Sequence, residues 1–217
     1  MDTRTIATPT HGRYLVVAPR HDGPAPMLVG CHGYAELAEA ELERMQMIPN
    51  AGEWLLVSVQ GLHRFYRGRT RDVVASWMTR QDRELAIADN AAYVASVVAA
   101  VAKEWAVTDG LVFTGFSQGV AMACRAACAS PRRVTGLLTL CGDVPPELDR
   151  LALSRIPAAL LGQGARDDWY TAAKLAADVA RLREAGVETA AVTIDAGHEW
   201  TAEFSREAAG FLARAVR

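Results

Sequence analysis

From Met27 to Phe211 short apolar stretches alternate with segments whose apolar residues recur at helical spacing, and this alternation constrains the fold more than any single motif. Met27–Cys31, Trp54–Val59, Leu111–Thr114, Val134–Leu140, Ala158–Leu161 and Glu188–Ile194 read as strands. Between them run helical patterns. One starts near Ala35, carries Ala38, Leu42 and Met45 on one face and stops at Pro49. A second opens at Asp82 and keeps Ile87, Ala91, Val94, Val98, Val101 and Trp105 in register. Gln118–Ala129 is rich in small residues. Leu175, Val179 and Leu182 mark a helix closed by Gly186, and Phe204, Ala208 and Phe211 mark the last. Strands that are apolar at successive positions, separated by amphipathic helices, imply a mostly parallel sheet covered on both faces. Ahead of this series, Arg4–Ala7 and Tyr14–Ala18 flank the turn-rich Thr8-Pro9-Thr10-His11-Gly12 and predict an antiparallel hairpin. No repeat or Gly/Ser linker interrupts the 217 residues, so one domain over 1–217 is expected. Cys141 to Ile156 is too short for a cap domain.

Composition narrows the function classes. A formal net charge of −2 supplies no global field for phosphates, so nucleic acid is not expected as a partner. The longest nearly apolar run, Ala91–Ala102, falls short of the ~17 residues that span a bilayer. Met1-Asp2-Thr3-Arg4 lacks the basic start and apolar stretch of a signal peptide, so none is expected. Cys31, Cys124, Cys128 and Cys141 lack the spacing of a disulfide framework. The expectation is a cytoplasmic protein with free thiols, a monomer or homodimer that acts on small molecules without a cofactor.

Gly115-Phe116-Ser117-Gln118-Gly119 fits G-x-S-x-G, and it follows a strand and opens a helix, as a nucleophile elbow must. The turn demands small neighbours, and it sets Ser117 at a helix N-terminus that favours negative charge. The Gln118 backbone N–H is then free to bind an oxyanion. A serine hydroxyl needs a base, and His198 follows the last strand in Asp195-Ala196-Gly197-His198-Glu199. A zinc role fails because Ala202 stands where a second ligand would be needed. The orienting acid comes from Gly164-Ala165-Arg166-Asp167-Asp168. Either aspartate could serve: Asp167 is preferred by its spacing from Gly164, Asp168 would then begin or cap the Thr171 helix, and Asp143 is a reserve. The chain order Ser117, Asp167, His198 is that of α/β-hydrolases. The second oxyanion donor should be the Tyr34 backbone N–H, after the Met27–Cys31 strand, with His32 holding that loop.

Three stretches, Gly30-Cys31-His32-Gly33-Tyr34, Gly115-Phe116-Ser117-Gln118-Gly119 and Gly197-His198-Glu199, resemble the carboxylesterase/phospholipase family that includes the acyl-protein thioesterases. The resemblance implies an α/β-hydrolase fold without a large cap, a Ser-Asp-His triad, and hydrolysis of acyl esters or thioesters. Val120 follows the elbow where thioesterases usually carry another glycine, and Trp77-Met78-Thr79 stands in place of their Trp-Phe-Asp. These departures bear on chain length and leave the reaction type intact. The segment Gln60–Gln81 shows no clear period and is expected to be an irregular loop. Its Phe65, Tyr66, Trp77 and Met78, with Trp169, are expected to line a pocket for short to medium acyl chains. Two weaker patterns are set aside. Gly162-Gln163-Gly164 lacks the third glycine of a dinucleotide loop, and Cys124 and Cys128 share a helix face with no further zinc ligands.

Overall fold

The computed structural model describes residues 1–215. Its main sheet has seven strands: β1 (Arg13–Val17), β2 (Ala25–Cys31), β3 (Leu55–Gln60), β6 (Val107–Phe116), β7 (Gly136–Leu140), β8 (Ala158–Gly164) and β9 (Glu188–Ile194). They lie in the order β1-β3-β2-β6-β7-β8-β9. Only β1 runs antiparallel to its neighbour; the other pairs are parallel. The antiparallel start is therefore present, but its partner differs from the expected one. Tyr14 and Val16 pair with Val59 and Val57 of β3, and Arg4–Ala7 forms no strand and is exposed. Thr3, Arg4 and Thr5 leave this short stretch no apolar face to bury, whereas β3 offers a fully buried edge.

The unbroken apolar strands follow from two-sided burial. Along β2, β3 and β6, Met27, Val29, Leu55, Val57, Leu111 and Phe113 face one core, and the alternate residues Leu28, Leu56 and Val112 face the other. Successive strand side chains point to opposite faces, so a sheet covered twice needs apolar residues at every position. The first core is closed by α2 (Arg83–Glu104), α3 (Gln118–Ala129) and α5 (Ala172–Glu184). The second is closed by α1 (Ala38–Gln46) and α6 (Ala202–Ala215). A one-turn helix, α4 (Arg150–Leu153), is begun by Asp149, whose carboxylate accepts the Ala152 N–H. By length and composition α2 could cross a membrane, yet its Val94, Val97, Val98 and Val101 belong to the first core. α5 ends as predicted at Gly186, whose φ is +84°. Its N–H and that of Val187 return to the carbonyls of Arg183 and Leu182, a closure that glycine makes without steric cost.

The expectation of an irregular Gln60–Gln81 is corrected. β4 (His63–Tyr66) and β5 (Val73–Ser76) form a separate antiparallel hairpin, Phe65 opposite Val74. The short strands are half charged or exposed, which hid them from periodicity. Asn90, buried on α2, fastens both ends of the hairpin: its Oδ1 accepts the Leu62 N–H at 3.1 Å, and its Nδ2 donates to the Trp77 carbonyl at 2.9 Å.

Candidate active site

The end of β6 runs directly into α3, and Ser117 stands between them with φ +53° and ψ −121°. Such a backbone costs a non-glycine residue about 1–3 kcal/mol and persists only where its surroundings dictate it. Those surroundings are close backbones. A Cβ on Gly115 would lie 2.5 Å from the Gly119 carbonyl oxygen, and one on Gly119 would lie 1.9 Å from that of Cys31. The glycines of the elbow thus let α3 seat against the end of β2. The Gln118 side chain pins the elbow to the hairpin: Oε1 accepts the Trp77 N–H at 3.0 Å, and Nε2 donates to the Met78 carbonyl at 3.1 Å.

His198 lies on the loop after β9, with Nε2 2.8 Å from Ser117 Oγ and Nδ1 2.8 Å from Asp167 Oδ2. The Asp167 side chain is wholly buried, and its second oxygen accepts the N–H groups of Trp169 and Tyr170 at 2.8 and 3.0 Å. Burial opposes ionisation of Asp167. Hydrogen bonds from Tyr170, the Cys141 thiol, His198 and Trp169 outweigh it and hold the carboxyl below its usual pKa. The close approach of Gly164 to Gly197 makes this possible, since a Cβ there would meet the Gly197 carbonyl at 2.0 Å. The glycines of Gly162-Gln163-Gly164 therefore serve packing. Asp168 is exposed and accepts no cap bond, and the α5 N-cap Thr171 has no side-chain cap either. The expected helix-capping role of Asp168 is thereby corrected. Asp143 pairs with Lys174 at 3.2 Å.

Cys141 Sγ, Asp167 and His198 converge within 4.8 Å. Burial pushes the Cys141 thiol up to about 12, so it stays protonated beside Asp167 and is a poor metal donor. All four cysteines are free and buried.

The loop after β2 is held from behind. His32 is fully buried; its Nε2 accepts the Gly61 N–H at 2.9 Å, so Nδ1 carries the proton and donates to the Gly33 carbonyl at 2.7 Å. Burial lowers its pKa and keeps the ring neutral. Glu36 accepts the Gly33 N–H at 2.8 Å and takes both ends of the Arg44 guanidinium, at 2.6 and 2.5 Å. Arg44 in turn lies 4.2 Å over the ring of Phe116, which sits 5.1 Å from His198. Ala35 bridges the loop in the left-handed region at φ +58°. Among the described residues, neither the Tyr34 nor the Gln118 backbone N–H has a protein acceptor.

The expected pocket walls divide. Phe65 packs 5.6 Å from Tyr34 on the hairpin beside this loop, and Tyr66 and Trp169 are exposed. Trp77 has no exposed surface: its indole N–H donates to the His32 carbonyl at 2.8 Å and its ring packs 5.1 Å from the imidazole. Trp77 is a brace and not a wall. Met78 is nearly buried, with Sδ 3.6 Å from Arg125. Glu36, Arg44, Asn90 and the Gln118 side chain were missed by sequence reasoning, and no local spacing signals them.

Residues 14–160, two thirds of the chain, match the phospholipase/carboxylesterase family model. The chain belongs to this family. It is accordingly a hydrolase of the esterase type with an α/β-hydrolase fold. Among solved structures, the Bacillus cereus carboxylesterase superposes with a TM-score of 0.72 at 18% identity, over 94% of each chain. Zea mays acyl-protein thioesterase 2 gives 0.74 at 19% identity, over 95% of this chain and all of that one. Esterase PE8 gives 0.73 at 21% identity with the same coverage. No curated protein matches the sequence significantly.

Proposed function

We propose that this hydrolase cleaves carboxylic esters or thioesters of short to medium acyl chains, with Ser117 as nucleophile, His198 as base and Asp167 as its orienting acid. The observation that carries the proposal is the unbroken line from Ser117 Oγ through both nitrogens of His198 to Asp167, each step 2.8 Å. Asp167 holds the proton on Nδ1, leaving Nε2 to take the serine proton as Oγ attacks the acyl carbon. The tetrahedral oxyanion is received by the Tyr34 and Gln118 N–H groups. His198 then protonates the leaving group. Water, activated by the same ring, releases the acid from the acyl-enzyme. No large cap stands over the site among the described residues, which favours acyl groups that do not need a long enclosed tunnel, since each CH₂ contributes ~0.8 kcal/mol only while it meets apolar wall.

A fluorophosphonate probe and p-nitrophenyl esters of graded length test this together. Labelling and turnover should both vanish in Ser117→Ala, with activity down by about 10⁵ or more, while the fold is retained. Turnover that persists in a pure Ser117→Ala preparation removes Ser117 from the reaction. Rates that climb steadily to palmitoyl esters would instead favour a long-chain thioesterase or lysophospholipase.

A further inference from the structure

A cavity of about 520 Å³ opens between the start of α2, α3, α5 and the chain after β7. Ala121, one turn along α3 from Ser117, is part of its lining. So is Asp143, which follows Gly142, and a Cβ on Gly142 would lie 2.3 Å from the Ser117 carbonyl oxygen. Four lining side chains are cationic, Arg83, Arg125, Lys174 and Arg181, and two are carboxylates, Asp143 and Asp178. In a chain of net charge −2 this local excess runs against the whole.

Not every charge here is available. Arg181 donates to the carbonyls of Val144, Pro145 and Leu148 and so holds the loop after β7. Asp178 is buried and accepts the Val144 N–H at 2.9 Å and the Tyr170 hydroxyl at 3.1 Å. Three cations keep donor capacity. Arg125 is only 5% exposed; its Nε and Nη2 both go to Glu147 Oε1, and its Nη1 meets nothing stronger than the thioether of Met78 at 3.6 Å. Sulfur is a weak acceptor, and a buried guanidinium N–H without a good one is costly to leave. Arg83, half-buried at the start of α2, makes no direct ion pair among the described residues, although with Arg125 it helps hold the Glu147 carboxyl below its usual pKa. Lys174 faces Asp143 at 3.2 Å, with both side chains 42% exposed. An ion pair that open is worth about 0–1 kcal/mol, so an arriving carboxylate can compete for the lysine.

We propose that this cavity is an anion-binding subsite for the acyl arm of the substrate, and that the enzyme prefers half-esters of dicarboxylic acids whose remote carboxylate pairs with Arg83, Lys174 and the Arg125 Nη1. The proposal rests on Ser117 being the nucleophile. At ~1.5 Å per residue, Ala121 and Arg125 lie about 6 and 12 Å along the helix from Ser117, which suits an acyl chain of several methylenes between ester and carboxylate. The reaction adds one water, giving the dicarboxylate, the alcohol and one proton released to solvent. Cations clustered in one cleft raise the local concentration of such an anion and discriminate against its neutral analogue.

Monomethyl adipate and methyl hexanoate share a chain length and differ in the remote carboxylate. The half-ester should show at least a tenfold higher kcat/KM at low salt, and 0.5 M NaCl should erode that preference through screening. Free adipate should inhibit the wild type more strongly than hexanoate. In the Arg83→Gln/Lys174→Gln variant, both sites outside the core, the ratio of half-ester to neutral ester should fall at least tenfold. Hydrolysis of both esters with no preference for the half-ester overturns the subsite and leaves the hydrolase assignment standing. A preference that survives in the folded double variant also overturns it, by placing the carboxylate elsewhere. Failure to hydrolyse either ester, with no fluorophosphonate labelling of Ser117, removes the nucleophile and the subsite together.

Discussion

Glu36→Ala should damage both stability and turnover, although Glu36 touches neither Ser117 nor His198. Its carboxylate accepts the Gly33 N–H and grips Arg44 at two points. Removing it leaves the Arg44 guanidinium, 15% exposed, with Glu41 alone at 3.2 Å. Breaking a fully buried ion pair costs about 3–5 kcal/mol. Water reaches this one, since Glu36 is 22% exposed, so about 2 kcal/mol is the better figure. The stranded Gly33 N–H adds about 1 kcal/mol. Urea denaturation should therefore give a loss near 3 kcal/mol at unchanged m-value. Glu36→Gln, which keeps an acceptor for Gly33 but not the charge, should lose roughly half as much. In activity, deleting one oxyanion donor outright costs about 10²–10³ in kcat. Loosening the loop that carries Tyr34 should cost less, about tenfold to a hundredfold, with KM moved by under about threefold. That split separates positioning from substrate binding. A variant within 0.5 kcal/mol of wild type, with kcat intact, would refute the idea that the Glu36–Arg44 pair holds this loop.

Asp167→Asn should cut kcat by about 10⁴, because the amide disfavours the imidazole tautomer that leaves Nε2 free. Asp168→Asn should cost less than about tenfold, and measured kcat values in the reverse order would move the acid to Asp168. A pH effect is expected from Glu41, whose fully buried carboxyl is pushed up to about 7, chiefly by burial, with Oε1 unpartnered. The native state then holds a proton that the unfolded chain has already released above about pH 4.3. Stability from this group falls as pH rises from there to about 7. Glu41→Gln should flatten that fall, read as Tm at pH 5 and pH 8, and an unchanged slope would contradict it.

The parallel sheet, the elbow and the order of Ser117, Asp167 and His198 were legible in the chain because each rests on local rules. Two-sided burial writes itself as apolar strands, and a strand-to-helix turn too tight for a Cβ writes itself as Gly115 and Gly119 around Ser117. The same rules place His198 after β9 and two aspartates after β8. They stop at edges and at second contacts. The spacing from Gly164 favours Asp167 over Asp168, and the fold supplies the reason: the chain turns after Gly164 so that the Trp169 and Tyr170 amides stand behind the Asp167 carboxylate that faces the imidazole. β1 pairs with β3 and not with Arg4–Ala7 because an edge strand goes where apolar surface awaits it. Trp77, read as a pocket wall from its character, lies beneath the His32 loop, and Asn90 clasps the hairpin from a helix that begins after it. The Glu36–Arg44–Phe116 stack and the cations around Arg125 join elements far apart in the chain. Only tertiary packing decides such contacts, since their energy exists only once the intervening chain has closed.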